Sequence, residues 1–156
     1  MNLFGSGLWM ALITLFYTVL LYFWIRSVNF DFRILFVPKI ILNLLGGLLI
    51  ISGFLFLAAS IKAMREAVIH KMLYTKGVYS VCRHPIYSAW IFFILPGMVF
   101  LVNSWILFSV PLVLLLSFRV LIHREENGLV QSFGKDYLDY MKKTGLIFPR
   151  FRKCEK

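Results

Sequence analysis

An arginine and a histidine stand side by side at the start of a long apolar run, in the stretch CRHPIYSAW. Pro85 suits the first turn of a helix and pushes the residue before it, His84, into extended geometry. The free N–H groups of Ile86 and Tyr87 then lie at the helix start, which attracts anions. Arg83 adds a guanidinium that can grip a carboxylate through two N–H groups. The stretch therefore predicts an anion site, and the alternative is a simple head-group anchor.

Two adjacent carboxylates, Glu125 and Glu126, directly follow the last apolar run. Their sign is wrong for anchoring the chain to anionic head groups. We therefore expect them to have a cationic partner, which is Arg119, Arg124 or a cationic ligand.

Arg119 is a third charged residue close to an apolar run. The uncharged residues before it, from Ser104 to Phe118, make only about 22 Å of helix, which is too short to cross about 30 Å of hydrocarbon. Arg119 therefore either extends its side chain to the membrane surface or faces a polar cavity.

The elements that must position these groups are membrane-spanning helices. Hydrophobic residues make up 60% of the 156-residue chain and charged residues only 15%, and the charges cluster between long uncharged runs. This pattern is typical of a polytopic membrane protein. We predict an all-α fold in one membrane domain, with four spans near residues 8–25, 40–61, 86–102 and 105–122.

The third and fourth spans are expected to form a helical hairpin. Residues 86–118 carry no charge, and a single helix of that length would measure roughly 50 Å against about 30 Å of hydrocarbon. Asn103 and Ser104 are the polar pair in the middle of this run. The chain should therefore turn back at this pair.

The distribution of basic residues predicts the orientation in the membrane. Arg26, Arg33 and Lys39 lie between the first two spans, whereas the other fourteen Lys and Arg residues lie between the second and third spans or after Phe118. Basic connectors stay on the cytosolic side. We therefore expect both termini and both charged clusters in the cytosol.

Two further helical segments are expected outside the spans. The stretch KAMREAVIHKML, residues 62–73, has the pattern of an amphipathic helix lying in the membrane interface. Residues 119–149 should form a cytosolic helical segment, broken by Gly134 and ended near Gly145 and Pro149. In the second span, small residues are expected to allow close helix packing; they are Gly46, Gly47 and Gly53.

The net charge of +10 agrees better with anionic head groups than with nucleic acid, because no groove-reading motif accompanies it. The two cysteines, Cys82 and Cys154, fall in predicted cytosolic segments, where thiols stay reduced. Neither a disulfide nor a Cys-x-x-Cys metal pattern is expected. The sequence leaves the oligomeric state open.

The two charged clusters belong to a longer pattern. GVYSVCRHPIYSAW is followed, after the hairpin, by EENGLVQSFGKDYLDY and a late proline. The order R-H-P-x-Y, E-E and L-x-x-x-F-G-x-x-Y-x-x-Y resembles the isoprenylcysteine carboxyl methyltransferases and their relatives, the phospholipid N-methyltransferases. The resemblance covers residues 71–149, and the first two spans match only as generic membrane helices.

The resemblance implies a small integral-membrane enzyme that binds S-adenosylmethionine from the cytosolic side, methylates a lipid-borne group and releases S-adenosylhomocysteine. The cofactor would lie between segments 71–89 and 119–149. The residues that the resemblance assigns to its pocket are Tyr79, His84, Pro85, Ile86, Tyr87, Glu125 and Glu126, and we expect Leu73 to contact it as well. The chain departs from the family pattern at Ala89, where many members have glycine, and at Lys71, Met72 and Tyr74.

The chemistry of this cofactor suits the two clusters, since its ammonium could bind the carboxylate pair and its carboxylate the Arg83 cluster. We favour as acceptor the carboxylate of an isoprenylated cysteine or a similar lipidated group, held by Arg83 or Arg119, because a carboxylate needs no base. The close rival is a phospholipid amine, which must first lose a proton to Glu126, His84 or His123.

Two other classes of protein are kept as alternatives. An NADPH-dependent sterol-type membrane reductase carries a similar R-H-P-x-Y run but lacks the block from E-E to F-G-x-x-Y. A non-enzymatic basic membrane scaffold would explain the charge and the spans without any cofactor.

Overall fold

The computed structural model describes residues 5–28 and 30–149, so that Cys154 lies outside the described residues. In chain order the elements are α1 (Gly5–Ser27), α2 (Lys39–Ile69), α3 (Val78–Val81), α4 (Pro85–Ala89), a π-helical segment (Trp90–Ile94), α5 (Leu95–Val102), a 3-10 turn (Trp105–Phe108) and α6 (Ser109–Lys143). Within the described ranges the only β-type pairing is two isolated bridges. The predicted all-α fold is confirmed.

Among the described residues, four helical stretches are long and apolar enough to cross a membrane, namely Ser6–Ser27, Lys39–Ile69, Pro85–Val102 and Trp105–Lys143. The third is made of α4, the π-helical segment and α5 joined end to end. It ends where Asn103 adopts a left-handed backbone with φ 59. The polar pair therefore forms the predicted turn between the third and fourth spans.

The prediction of an amphipathic helix over residues 62–73 holds only up to Ile69, and this helix is continuous with the second span. α2 continues without a break through Lys62 and ends at Ile69. The stretch AMREA, residues 63–67, consists of strong helix formers, so nothing stops the helix where the apolar run ends. Lys71 then has a φ of 48, and Met72 to Thr75 are not helical. The segment is an extension of the second span followed by an irregular connector.

Two of the three glycines in α2 allow close contact with the third span. A Cβ on Gly46 would lie 2.8 Å from the backbone oxygen of Gly97, and a Cβ on Gly53 would lie 2.8 Å from Cβ of Phe93. For Gly47, no described atom outside its own helix turn lies within 4 Å of the Cβ position. Gly46 and Gly53 thus have the predicted packing role, whereas Gly47 faces away.

Gly97→Ala should destabilise the fold, whereas Gly47→Ala should leave it unchanged or slightly more stable. The new methyl group at position 97 would lie 2.9 Å from the backbone oxygen of Gly46, which cannot move without shifting α2. Overpacking of this kind costs about 1–3 kcal/mol, while alanine in an open helical position gains up to about 1 kcal/mol over glycine. Thermal unfolding of both variants in detergent measures the difference, and equal unfolding temperatures would contradict the packing account.

The two ends of the helical bundle differ: hydrogen bonds between connecting segments hold one end, and the charged clusters lie at the other. At one end, Trp105 N–H donates to the backbone oxygen of Phe32 at 3.0 Å, and Ile34 N–H donates to Oδ1 of Asn103 at 3.2 Å. These bonds tie the loop after α1 to the hairpin turn. The opposite end gathers the start of α1, the end of α2, the start of α4 and the middle of α6, and it holds the charged clusters.

A buried apolar cluster joins α1, the third span and α6 beneath the charged end. Its members are Met10, Ile91, Leu114, Phe118, Ile122 and Ile147. Phe118 is fully buried and contacts the rings of both His84 and Tyr87, with ring centroids 5.6 Å and 5.0 Å apart. The apolar cluster is therefore in direct contact with the charged end of the helices through Phe118.

Gly134 divides α6 as the sequence predicts. Its φ of 54 and ψ of −127 lie outside the helical range, in a region that side chains other than glycine avoid. The helix is redirected at this point, and Tyr137 and Tyr140 in its last part are buried. The redirected end of α6 closes one side of the site.

Candidate active site

A cavity of about 580 Å³ lies at the charged end of the helices. Its walls come from the end of α2, the irregular connector, the start of α4 and the part of α6 on both sides of Gly134. The lining residues are Met64, Ala67, Val68, Lys71, Met72, Leu73, Tyr74, Tyr79, Arg83, His84, Pro85, Ile86, Tyr87, Glu125, Leu129, Ser132, Phe133, Tyr137 and Tyr140. Most of this surface is apolar, and the charged side chains on it are Lys71, Arg83 and Glu125, together with the titratable His84.

Arg83 and Glu126 form a buried ion pair at the wall of the cavity. Nη2 of Arg83 lies 3.0 Å from Oε1 of Glu126, and each side chain is 10% exposed. Tyr137 donates its hydroxyl to the same oxygen at 3.3 Å. Glu126 is not among the residues that line the cavity. Glu126 therefore contacts Arg83 on the side away from the cavity and holds its guanidinium in place.

Glu125 lines the cavity and belongs to a second polar group. Its Oε2 accepts hydrogen bonds from the hydroxyls of Ser6 at 2.8 Å and Tyr87 at 3.3 Å. Its Oε1 lies 3.8 Å from Nδ1 of His84, and the other ring nitrogen of His84 is 3.6 Å from Glu126. His84 therefore stands between the two carboxylates of the acidic pair.

Within the described residues, two buried nitrogens at the cavity wall have no hydrogen-bond partner. Nε of Arg83 and Nε2 of His84 have no hydrogen-bond partner within the part of the chain that the structure describes. A buried polar group without a partner is costly, since it has lost its hydrogen bonds to water. Both residues line the cavity, but Nε2 of His84 faces the carboxylate of Glu126 at 3.6 Å. The guanidinium of Arg83 is therefore the group that an anionic ligand in the cavity would contact.

The segment after α6 fixes the backbone of the arginine and histidine. The backbone N–H of Arg83 donates to the oxygen of Gly145 at 2.9 Å, and that of His84 donates to the oxygen of Leu146 at 3.1 Å. The hydroxyl of Ser88 is 3.0 Å from the oxygen of Ile147. Sequence reasoning missed this support, because backbone acceptors carry no signature in the residue types.

Tyrosines from α3 and α6 line part of the cavity. The hydroxyl of Tyr140 donates to the backbone oxygen of Tyr79 and so ties α6 to α3. Burial, reinforced by the negative charge of Glu125, raises the pKa of Tyr79 to about 12. At neutral pH the Tyr79 hydroxyl is therefore uncharged and remains available as a hydrogen-bond donor on the cavity wall.

The structure brings most of the sequence-predicted site residues to the cavity. The predicted residues that line it are Leu73, Tyr79, Arg83, His84, Pro85, Ile86, Tyr87 and Glu125. Lys71, Met72 and Tyr74, at which the chain departs from the family pattern, line it as well. Arg119 and His123 are exposed and are not among the lining residues. Arg119 was expected either to extend its side chain to the membrane surface or to face a polar cavity, and its exposure favours the first. Ala89 is fully buried beneath the site.

These observations define a polytopic helical membrane protein with a largely apolar, charge-bearing cavity at one end of its spans. The chain belongs to the isoprenylcysteine carboxyl methyltransferase family, whose model matches residues 48–131, more than half of the chain. The matched range runs from the middle of α2 past the acidic pair in α6. The chain is accordingly an integral membrane protein.

Individual relatives agree with the family assignment. The chain is 39% identical over 85 residues to a protein-S-isoprenylcysteine O-methyltransferase of Mus musculus, a match that covers 53% of this chain and 30% of the mouse protein. It is 40% identical over 85 residues to the Xenopus laevis protein of the same name, again with 30% of that protein covered. An Arabidopsis thaliana protein-S-isoprenylcysteine O-methyltransferase B is 34% identical over 84 residues, with 42% covered. The matches thus span less than half the length of these relatives, and no solved structure matches the chain.

Proposed function

We propose that this chain is an S-adenosylmethionine-dependent membrane methyltransferase that esterifies the carboxylate of an isoprenylated cysteine or a similar lipidated group. The observation that carries the proposal is that Arg83 and His84, which directly precede α4, and Glu125 from α6 line one cavity. A ligand with both a cation and an anion needs opposite charges in one place. The relatives' names, which specify O-methylation of isoprenylcysteine, support the acceptor class.

The charged part of the cavity suits the amino-acid end of the methyl donor. The carboxylate of Glu125 is a natural acceptor for an ammonium group, because a charge-assisted hydrogen bond is about twice as strong as a neutral one. The guanidinium of Arg83, whose Nε has no hydrogen-bond partner within the described residues, is a donor for a carboxylate. When bound, S-adenosylmethionine supplies an electrophilic methyl group on its sulfonium.

The apolar part of the cavity suits a lipid chain. The apolar residues that line it from the end of α2 and the connector are Met64, Ala67, Val68 and Met72, and those from α6 are Leu129 and Phe133. Methionine side chains are flexible and adapt to apolar ligands of irregular shape. The two parts are continuous, so an acceptor group and its lipid tail can share one site.

The available bases favour a carboxylate as the acceptor. Of the three residues predicted to deprotonate an amine, His123 is exposed and Glu126 is held behind the wall by Arg83. Only His84 lines the cavity. A carboxylate is already ionised at neutral pH, so the protein needs only to align it and exclude water, which is where most of the rate enhancement of such transfers can arise.

The same proposal includes the orientation and the partners. Because most of the basic residues lie at the charged end or after it, we place this end in the cytosol. A soluble donor would then enter from the cytosol, while the lipidated acceptor is held at the membrane. No nucleic acid takes part in this function.

Purified protein in phospholipid vesicles, incubated with methyl-labelled S-adenosylmethionine and an N-acetyl-farnesylcysteine, should form a base-labile methyl ester. The matched control is the same compound with its carboxylate already esterified, which should take up no label. Label in phosphatidylethanolamine instead of N-acetyl-farnesylcysteine would show that the acceptor is an amine and not a carboxylate. No transfer to either, together with measurable binding of NADPH, would contradict the proposal and favour a reductase.

A further inference from the structure

The first helix reaches a cavity-lining carboxylate through a residue outside the family-matched range. Oγ of Ser6 lies 2.8 Å from Oε2 of Glu125, and the two residues are 119 positions apart in the sequence. The family match begins only at residue 48. Of the bonds that the structure shows to this carboxylate, the one from Ser6 is the shorter.

The residue next to Ser6 also lies close to the third span. A Cβ on Gly7 would lie 3.0 Å from the hydroxyl oxygen of Tyr87, which is tighter than an ordinary van der Waals contact. Tyr87 donates to the same oxygen of Glu125 as Ser6 does. Two hydroxyls from different spans therefore converge on Oε2, while Oε1 lies on the side of His84.

We propose that Ser6 is a positioning residue for Glu125 and thereby for the cationic group of the bound methyl donor. A glutamate side chain has several rotatable bonds and loses entropy when it is held in one conformation. The Ser6 hydroxyl fixes one carboxylate oxygen before any ligand arrives, so that binding need not order the side chain. The inference rests on the proposed function, since it assumes that Glu125 receives the donor.

Calorimetric titration of S-adenosylhomocysteine into the purified full chain tests this role. Ser6→Ala should weaken binding by about tenfold, the size expected for one hydrogen bond to a charged group, and Ser6→Thr should restore it because the hydroxyl is kept. Thr14→Ala is the control, because Thr14 on the same helix donates to the backbone oxygen of Met10 and is not among the residues that line the cavity. Thermal unfolding of each variant in detergent shows that the fold is intact.

A double-mutant cycle separates positioning from general structural support. In a Glu125→Gln background, Ser6→Ala should have clearly less than its effect in the wild-type chain, because the group that it positions has lost its charge. An unchanged dissociation constant for Ser6→Ala, or an equal loss in both backgrounds, would overturn the role of Ser6 while leaving the proposed function standing if Glu125→Gln alone weakens binding. Absence of binding to the wild-type chain would overturn both proposals.

Discussion

Glu125→Gln should weaken the binding of S-adenosylhomocysteine by about 10- to 100-fold and leave the protein folded. Hydrogen bonds to charged groups contribute about 1.5–3 kcal/mol each, and the substitution removes the charge that faces the cavity. The amide has nearly the same shape, and its oxygen can still accept the bonds from Ser6 and Tyr87. Calorimetry with the product measures the change without requiring an acceptor substrate.

The matched control for this variant is Glu66→Gln. Glu66 is a half-buried carboxylate on α2 and is not among the residues that line the cavity. Its substitution removes the same charge from the protein but should leave affinity unchanged. Equal affinity of the Glu125 variant and the wild-type chain would show that the acidic pair serves only to neutralise neighbouring basic side chains.

Arg83→Met is expected to give the largest loss of stability of any single change at the site, about 3–5 kcal/mol. Glu126 would remain buried without its ion-pair partner, and an uncompensated buried charge is strongly destabilising. Tyr137 would still donate to Glu126, but one neutral hydrogen bond does not replace a guanidinium at 3.0 Å. Chemical unfolding in detergent measures the loss.

Replacement of the whole pair separates stability from function. Arg83→Met combined with Glu126→Leu should recover much of the lost stability, because apolar residues of similar volume often substitute well for a buried ion pair. Methyl transfer should nevertheless stay absent. Arg83→Lys should remain folded but also lose activity, since an ammonium lacks the planar donor fork. Normal transfer by the doubly substituted chain would contradict a functional role for Arg83.

The spans could be predicted from the sequence because lipid imposes a length and a composition on any helix that crosses it. The hairpin at Asn103 followed from the same length argument, and Gly134 from its type and its place in the pattern. The end of α2 could not be predicted in this way. The strong helix formers after Ile61 continue a helix whether or not its surroundings change, so that the amphipathic pattern of residues 62–73 did not mark a new element.

The site was predictable only where residue types carry chemical meaning. The charges of Arg83, Glu125 and Glu126 and their place in a known pattern indicated that they come together, although not that Glu126 stands behind Arg83. The contribution of Ser6 was not foreseen, because one serine at the start of an apolar helix has no distinctive pattern. Arg119 was included on helix length alone, and length does not determine which face of a helix a side chain occupies.

The most direct test of the account is an experimental structure of the full chain with S-adenosylhomocysteine bound. The account predicts that the ligand lies in the cavity between the start of α4 and α6, with its amino-acid end touching both Glu125 and the Arg83–His84 pair. A ligand bound elsewhere, or bound in this cavity without touching both charged groups, would contradict the central claim that these two clusters form one donor site.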